Sequence, residues 1–215
     1  NEVFSLTASH ISVTTTVVIC TFIGIYAIRH LPYFDFRAYY VGANIPQAMQ
    51  PSEPLRYKYI MEKDGSTQEF TEYPTEGDYE FKEMVLLNPE VQPKITDYSV
   101  WNDEGEFTQQ TFQGTKLAIV MYDVTKANQE AITEIQQLVS DLPSNIEPIV
   151  LTASGTEVYA DFLAAHPDFS IPHYYADATV LKPIVRANPG LVLLSEGVVK
   201  EKWHYNDMPS ATYFR

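Results

Sequence analysis

Among its 215 residues the sequence has a single cysteine, Cys20. Without a second, no intrachain disulfide can form. Neither a Cys-x-x-Cys redox pair nor a zinc ribbon can be built, so dithiol chemistry is excluded from any mechanism confined to this chain. Positive charge is scarce too: 14 Lys and Arg stand against 28 Asp and Glu, a formal net charge of −14. Nucleic-acid binding depends on Lys and Arg contacts to phosphate, so no nucleic-acid partner is expected. Much of the acid lies between Glu53 and Glu106. It reads as a solvated acidic surface, with a cation or small-ligand site as the alternative, although no Asp/Asn/Gly loop of Ca²⁺ spacing occurs there. His204 and Asp207 lack metal-ligand spacing as well, so neither a metal nor a cofactor is expected.

Charge is missing altogether from a stretch near the N-terminus. From Val3 to Ile28 no residue carries formal charge except His10, counted neutral. Residues 11–28 (ISVTTTVVICTFIGIYAI) reach the lower length for a bilayer-spanning helix at about 1.5 Å per residue, and extension to residues 4–28 brings the run to full span. Threonine hydroxyls in such a helix can bond back to the preceding turn. Tyr26, Arg29, His30, Tyr33 and Phe34 form an aromatic and basic rim of the kind found at a bilayer surface. A cleaved signal peptide competes with this reading, although a basic n-region and a small-x-small cleavage site are both missing. Cys20, in mid-span, is expected to act as a small apolar residue.

Four regions follow: a membrane helix and its flank (1–30), a linker (31–54), a β-rich insert (55–93) and a larger α/β domain (94–215). The linker is broken by Pro32, Gly42 and Pro46. Within it, Asp35 and Arg37 lie two apart, on one side of an extended segment, and are expected to tie it to the domain. In residues 55–73 apolar and polar positions alternate on both sides of Asp64-Gly65, a strong hairpin signal. Residues 77–88 mix the strand and helix periods and are read as a short strand. Residues 95–114 read as strand, Asp/Glu-Gly turn, strand. The run LAIVMYDV within 116–124 is nearly continuous in apolar residues, as a central strand buried on both faces should be. A helix over 128–139, a strand over 148–154 and a helix over 155–166, with Ser154 expected as its cap, come next. Asp177 to Arg186 shows one apolar helical face, Val180, Leu181, Ile184 and Val185.

The close of the chain, residues 186–203 (RANPGLVLLSEGVVKEKW), carries the most information. Pro189 must begin a strand or lie on an edge, and the Glu196-Gly197 turn leads into a second strand. Helix, X-Pro, apolar strand, Gly turn and strand closely resemble the ending of thioredoxin-like domains, and residues 95–124 resemble the opening of peroxiredoxin-like ones. The resemblance implies an α/β thioredoxin-like sandwich, a central mixed sheet with helices on both faces, and a cis bond at Asn188-Pro189. The linker motifs HLP (30–32), FDFR (34–37) and VGANIP (41–46) resemble those of extended DoxX-like membrane proteins of the Bacteroidetes type. Those proteins carry a bundle of membrane helices, a last helix and an extracytoplasmic thioredoxin-like domain. The chain, which begins at Asn1 without Met, resembles their C-terminal part or a shortened relative.

In active thioredoxin-like proteins the nucleophilic cysteine sits just after the first core strand, at a helix N-terminus. The matching positions here are Thr125, Lys126, Ala127 and Asn128, which offer no thiol. Thr125 has no visible base and is expected to cap the helix, with Asp123 as the other capping candidate. No catalytic residue is assigned. A binding groove can outlive the cysteines, so Asn188, Pro189 and Gly190 are candidates for pairing with an extended partner segment. Tyr174 and Tyr175 are added as possible partner contacts, against the alternative that they belong to a strand facing the core. The resemblance implies a membrane-anchored, redox-inactive binding or accessory module of a DoxX-type assembly. Its expected partners are the bilayer, through residues 4–28, and membrane-embedded helices or an extended peptide. Its expected place is the inner (cytoplasmic) membrane, with the soluble domain on the periplasmic side. The alternative is the thiol-free subunit of an oxidoreductase whose redox groups come from a membrane partner.

Overall fold

The computed structural model describes residues 2–215. Asn1 and the side chains of residues 2–8, those of Phe4 to Ala8 of the expected span among them, lie outside the described residues. Helix α1 runs Glu2–Arg29. Its Ser9–Arg29 stretch, 21 residues and exposed throughout, is long and apolar enough to cross a membrane. Thr16 and Thr21 hydroxyls donate to the carbonyls of Ser12 and Val17, at 2.9 and 2.8 Å, so these polar groups are satisfied within the helix.

The chain divides into two compact units, Asn44–Asp97 and Asn1–Ala43 with Tyr98–Arg215, the second including α1. The first begins with the short helix α2 (Ile45–Ala48), whose N-cap Asn44 accepts from the Gln47 N–H. Its three-stranded sheet comprises β1 (Tyr57–Lys63), β2 (Ser66–Phe70) and β3 (Glu80–Leu86), in the order β2-β1-β3. Lys63 pairs with Ser66 across Asp64-Gly65, whose φ values of 51° and 75° are those a two-residue hairpin turn demands. Between Ile60↔Glu83 and Met61↔Phe81 the register slips, leaving Lys82 as the extra residue of a bulge. That bulge explains the mixed period of residues 77–88, because an extra residue shifts the alternation of sides.

The larger unit contains a seven-stranded mixed sheet. Its strands are β4 (Val100–Asn102), β5 (Gly105–Glu106), β6 (Thr115–Met121), β7 (Ile146–Thr152), β8 (His173–Ala176), β9 (Gly190–Ser195) and β10 (Val198–His204). Their order is β10-β9-β6-β7-β8-β4-β5. β6, β7 and β8 run parallel, and β9 is antiparallel to both β6 and β10. Helices α3 (Gln129–Ser140), α4 (Thr156–Ala165) and α5 (Ala178–Ile184) follow β6, β7 and β8 in turn. This is a thioredoxin-like α/β sandwich. Leu117, Ile119 and Met121 of β6 share one buried cluster with Ile132 and Ile135 of α3 and Tyr159 and Phe162 of α4. Ala118 and Val120, which alternation sends to the opposite face, are equally buried. α5 packs against β7 with Val180, Leu181 and Ile184 buried outside that cluster, and so helps to cover the second face.

Two capping expectations are corrected. Thr125 does not cap α3: it lies in a separate 3₁₀ turn, Val124–Lys126, capped by Asp123, and the α3 cap is Asn128, whose side chain accepts from the Ala131 N–H. The backbone needed one more turn to leave the strand, so the cap moved three residues on. Ser154 does not cap α4 either. Gly155 holds the cap position and Ser154 Oγ accepts from the Val124 N–H across the sheet end.

Candidate functional site

The end of β6 is where thioredoxin-like chemistry would sit, and here backbone and side chains bond it closed. Asp123 Oδ1 accepts from the Thr125 N–H (3.1 Å) and hydroxyl (2.6 Å), and Oδ2 accepts from Lys126 Nζ (2.7 Å). The Lys126 hydrogen bond, with that of Thr125, holds the Asp123 carboxyl below its ordinary pKa. The Asn128 N–H donates to the Asn188 carbonyl (3.0 Å), and Asn188 Nδ2 donates to the Asp123 carbonyl (2.6 Å). Asn188-Pro189 is cis. The four positions from Thr125 to Asn128 therefore serve the turn, the cap and the link to the cis-proline loop.

Gly190 opens β9 and pairs with His204 of β10 on one side and Val120 of β6 on the other. An added Cβ there would lie 2.5 Å from Val185 Cγ1 and 2.7 Å from Cγ2, so the position admits no side chain without movement. These pairings bear on Gly190, one of the three positions expected to pair with a partner segment. From Gly190 onward both edges of the strand after Pro189 are occupied, and a partner segment cannot add to it. The Asn188 carbonyl is engaged as well.

The structure also separates the two tyrosines from the proline loop. Tyr174 and Tyr175 lie on β8, three strand spacings from β9 and so roughly 14 Å away across the sheet. Adjacent in sequence, they face opposite sides of it. Tyr174 packs on Phe107 (4.9 Å between rings) beside the Lys116–Glu147 ion pair. Tyr175 is 8% exposed and borders a shallow cleft with Trp101 and Ser154. Burial lowers the pKa of neighbouring His173, which stacks on Tyr159 at 4.2 Å. His173 and Tyr175 thus belong to the packed layers.

At the β10 edge of the sheet the first part of the linker, up to Ala43, belongs to the larger unit. The Gly42 N–H donates to the Val199 carbonyl and the Val199 N–H to the Ala43 carbonyl, so the linker pairs with the outer edge of β10. Arg37 grips Asp35 through Nε (2.6 Å) and Nη2 (2.9 Å). Lys202 of β10, with 3% of its side chain exposed, donates to Asp35 Oδ2 (2.6 Å) and to the Tyr39 carbonyl (3.0 Å). Burial raises the Asp35 pKa, but the hydrogen bonds from Arg37 and Lys202 outweigh it, and the carboxyl is held well below the usual range. The end of α1 is fastened likewise. His30 Nδ1 lies 2.8 Å from Asp207 Oδ1, and Asn206 Nδ2 donates to the Arg29 carbonyl.

Sequence reasoning identified Asp35 and Arg37 as ties but missed a cleft of about 480 Å³ lined by Arg37, Tyr122, Lys182, Pro183, Val185 and Arg186. Its one signal in the sequence is the pair of cations bracketing Pro183 in an otherwise acidic chain. Among the described residues, no group of three or more His, Cys, Asp or Glu is placed to hold a metal.

No protein-family profile and no curated protein matches the chain. Solved structures do. A domain attributed to a thiol-disulfide oxidoreductase, its C-terminal domain, from Bacteroides thetaiotaomicron is 14% identical with a TM-score of 0.40, over 49% of this chain and 81% of that one. A thiol peroxidase from Chromobacterium violaceum is 12% identical with a TM-score of 0.39, over 55% and 79%. A thioredoxin-like protein from Bacteroides caccae is 15% identical with a TM-score of 0.33, over 55% and 45%. At such identities and TM-scores the activities of those proteins do not transfer to this chain.

Proposed function

We propose that this chain is a membrane-anchored thioredoxin-like domain that works by binding, without dithiol chemistry of its own, as an accessory module of a membrane-embedded partner of DoxX type on the periplasmic face of the inner membrane. The observation that carries the reading is the closed corner after β6: Thr125 to Asn128 supply no thiol and are committed to hydrogen bonds, while the single cysteine, Cys20, is a residue of α1. The linker supports a contact beside the membrane. Tyr33, Phe34 and Phe36 follow α1 at 88%, 69% and 93% exposure, and their rings contact one another. Exposed aromatic rings on a backbone segment clasped to β10 make a fixed surface for apolar helices at headgroup level.

Two measurements test the reading. The full chain in detergent, wild type and Cys20→Ser, is expected to reduce insulin disulfides no faster than the dithiothreitol background; activity surviving in Cys20→Ser would overturn the redox-silent part. A photo-crosslinker at Phe36 in source membranes is expected to trap a multi-helix integral membrane protein, while one at Glu90 does not. Equal trapping from both positions, or none from Phe36, would remove the linker as the contact.

A further inference from the structure

We infer that the cleft between the linker and the C-terminal end of α5 is a binding site for a phosphate-type oxyanion carried on an organic group. Three cations line it, Arg37, Lys182 and Arg186, and no acid does, in a chain whose net charge is −14. Lys182 and Arg186 are exposed, and neither has an ion-pair or hydrogen-bond partner among the described residues. Cations at a helix C-terminus complement its dipole, which accounts for these two on their own. It does not account for the third.

Arg37 comes from the other end of the chain, and its position is fixed by the fork to Asp35. That fork uses Nε and Nη2. Nη1 is buried and meets no acceptor among the described residues, an unusual state for a guanidinium nitrogen. Asp35 cannot neutralise the site, because Lys202 shares the same carboxylate. Three cations therefore line one cleft, Lys182 and Arg186 with free donors at its surface, and guanidinium planes match pairs of phosphate oxygens. The rest of the wall is Tyr122, Pro183 and Val185, with Lys182 Nζ 5.7 Å from the Tyr122 ring centre. An aromatic and aliphatic wall beside cations suits a phosphate ester better than a bare ion. The volume is in the range of small-ligand pockets, about 300–1,000 Å³. The ester could come from an anionic lipid headgroup, since Arg37 follows closely on α1, or from a soluble metabolite. The inference does not rest on the accessory-module reading, because the soluble arm needs neither bilayer nor partner.

The test is amine acylation of the full chain, read by mass spectrometry at Lys182 with exposed Lys126 and Lys200 as internal references. In detergent the probes are inorganic phosphate and phenyl phosphate; in nanodiscs the comparison is phosphatidylcholine with and without phosphatidylglycerol. A ligand at about ten times its Kd should slow Lys182 labelling about tenfold by mass action and leave the references unchanged. Phenyl phosphate should act at lower concentration than inorganic phosphate. Arg186→Gln, at an exposed position that leaves the melting temperature in place, should weaken protection about tenfold. Protection by phenyl phosphate assigns a soluble source, and protection only in phosphatidylglycerol discs assigns the lipid. No protection in any arm, or protection unchanged in both Arg186→Gln and Arg186→Glu, overturns the site.

Discussion

β6 and β3 are both seven-residue strands in hydrogen-bonded sheets, yet they have almost nothing else in common. In β6 every residue after Thr115 is buried, and Leu117, Ile119, Val120 and Met121 are fully so. In β3 the first five residues are exposed, and Phe81 and Met84 each keep 49% of their surface in water. Hydrogen bonding is therefore not what separates the two sheets. Helices cover the seven-stranded sheet and impose an apolar residue at nearly every position. The three-stranded sheet relies on side-chain pairs on its surface, such as Tyr59 with Tyr73 and Phe70 with Tyr79, and tolerates a bulge.

If burial is the difference, Ile119→Ala should cost about 2–5 kcal/mol by the loss of a filled core position. Phe81→Ala should cost about 1 kcal/mol or less. Urea unfolding of the full chain in detergent measures both, and similar losses would erase the contrast. Asp35→Asn asks whether a polar tie at the sheet edge can behave like core: it strips Lys202 of its carboxylate and should cost about 3 kcal/mol at neutral pH. The sign of its pH dependence follows from the depressed carboxyl. The contribution is complete above the unfolded carboxyl's value of about 3.9 and is lost as pH falls below it. Melting curves of wild type and Asp35→Asn should thus converge in acid and separate above about pH 4. A constant gap would assign the effect to packing.

Gly190→Ala sharpens the comparison at the centre of the buried sheet. The clash with Val185 should cost about 1–3 kcal/mol, and Val185→Ala in the same chain should relieve part of it. The smallest effect is at the surface of the corner. Asn128→Ala should cost about 1 kcal/mol through the lost α3 cap, with Thr125→Ala well below it. The reverse order, read by thermal unfolding, would restore Thr125 as the cap.

Several elements were legible because their cause is local. The run from Leu117 to Met121 announced a strand buried on both faces, Asp64-Gly65 and Glu196-Gly197 announced hairpins, and the order helix, X-Pro, strand announced the closing motif with its cis bond. The caps were misplaced because Thr125, Asn128, Ser154 and Gly155 are all competent candidates, and the choice depends on where the strand releases the chain. Tyr174 and Tyr175 were grouped with Pro189 because sequence order places them before the same helix. Sheet order, with β6 and β7 intervening, keeps them apart.

By itself the sequence determined the absence of a thiol pair, the apolar N-terminal helix and the alternation of buried strands with helices, all consequences of composition and short-range period. The tertiary structure alone decided that both edges of β9 are taken, that the Asn188 carbonyl answers to Asn128, and that Arg37 meets Lys182 and Arg186 in one cleft. Each of these joins residues remote in the chain. Hydrogen-bond partners and charge clusters of that kind depend on which strands become neighbours, and strand neighbours are settled only when the whole sheet packs.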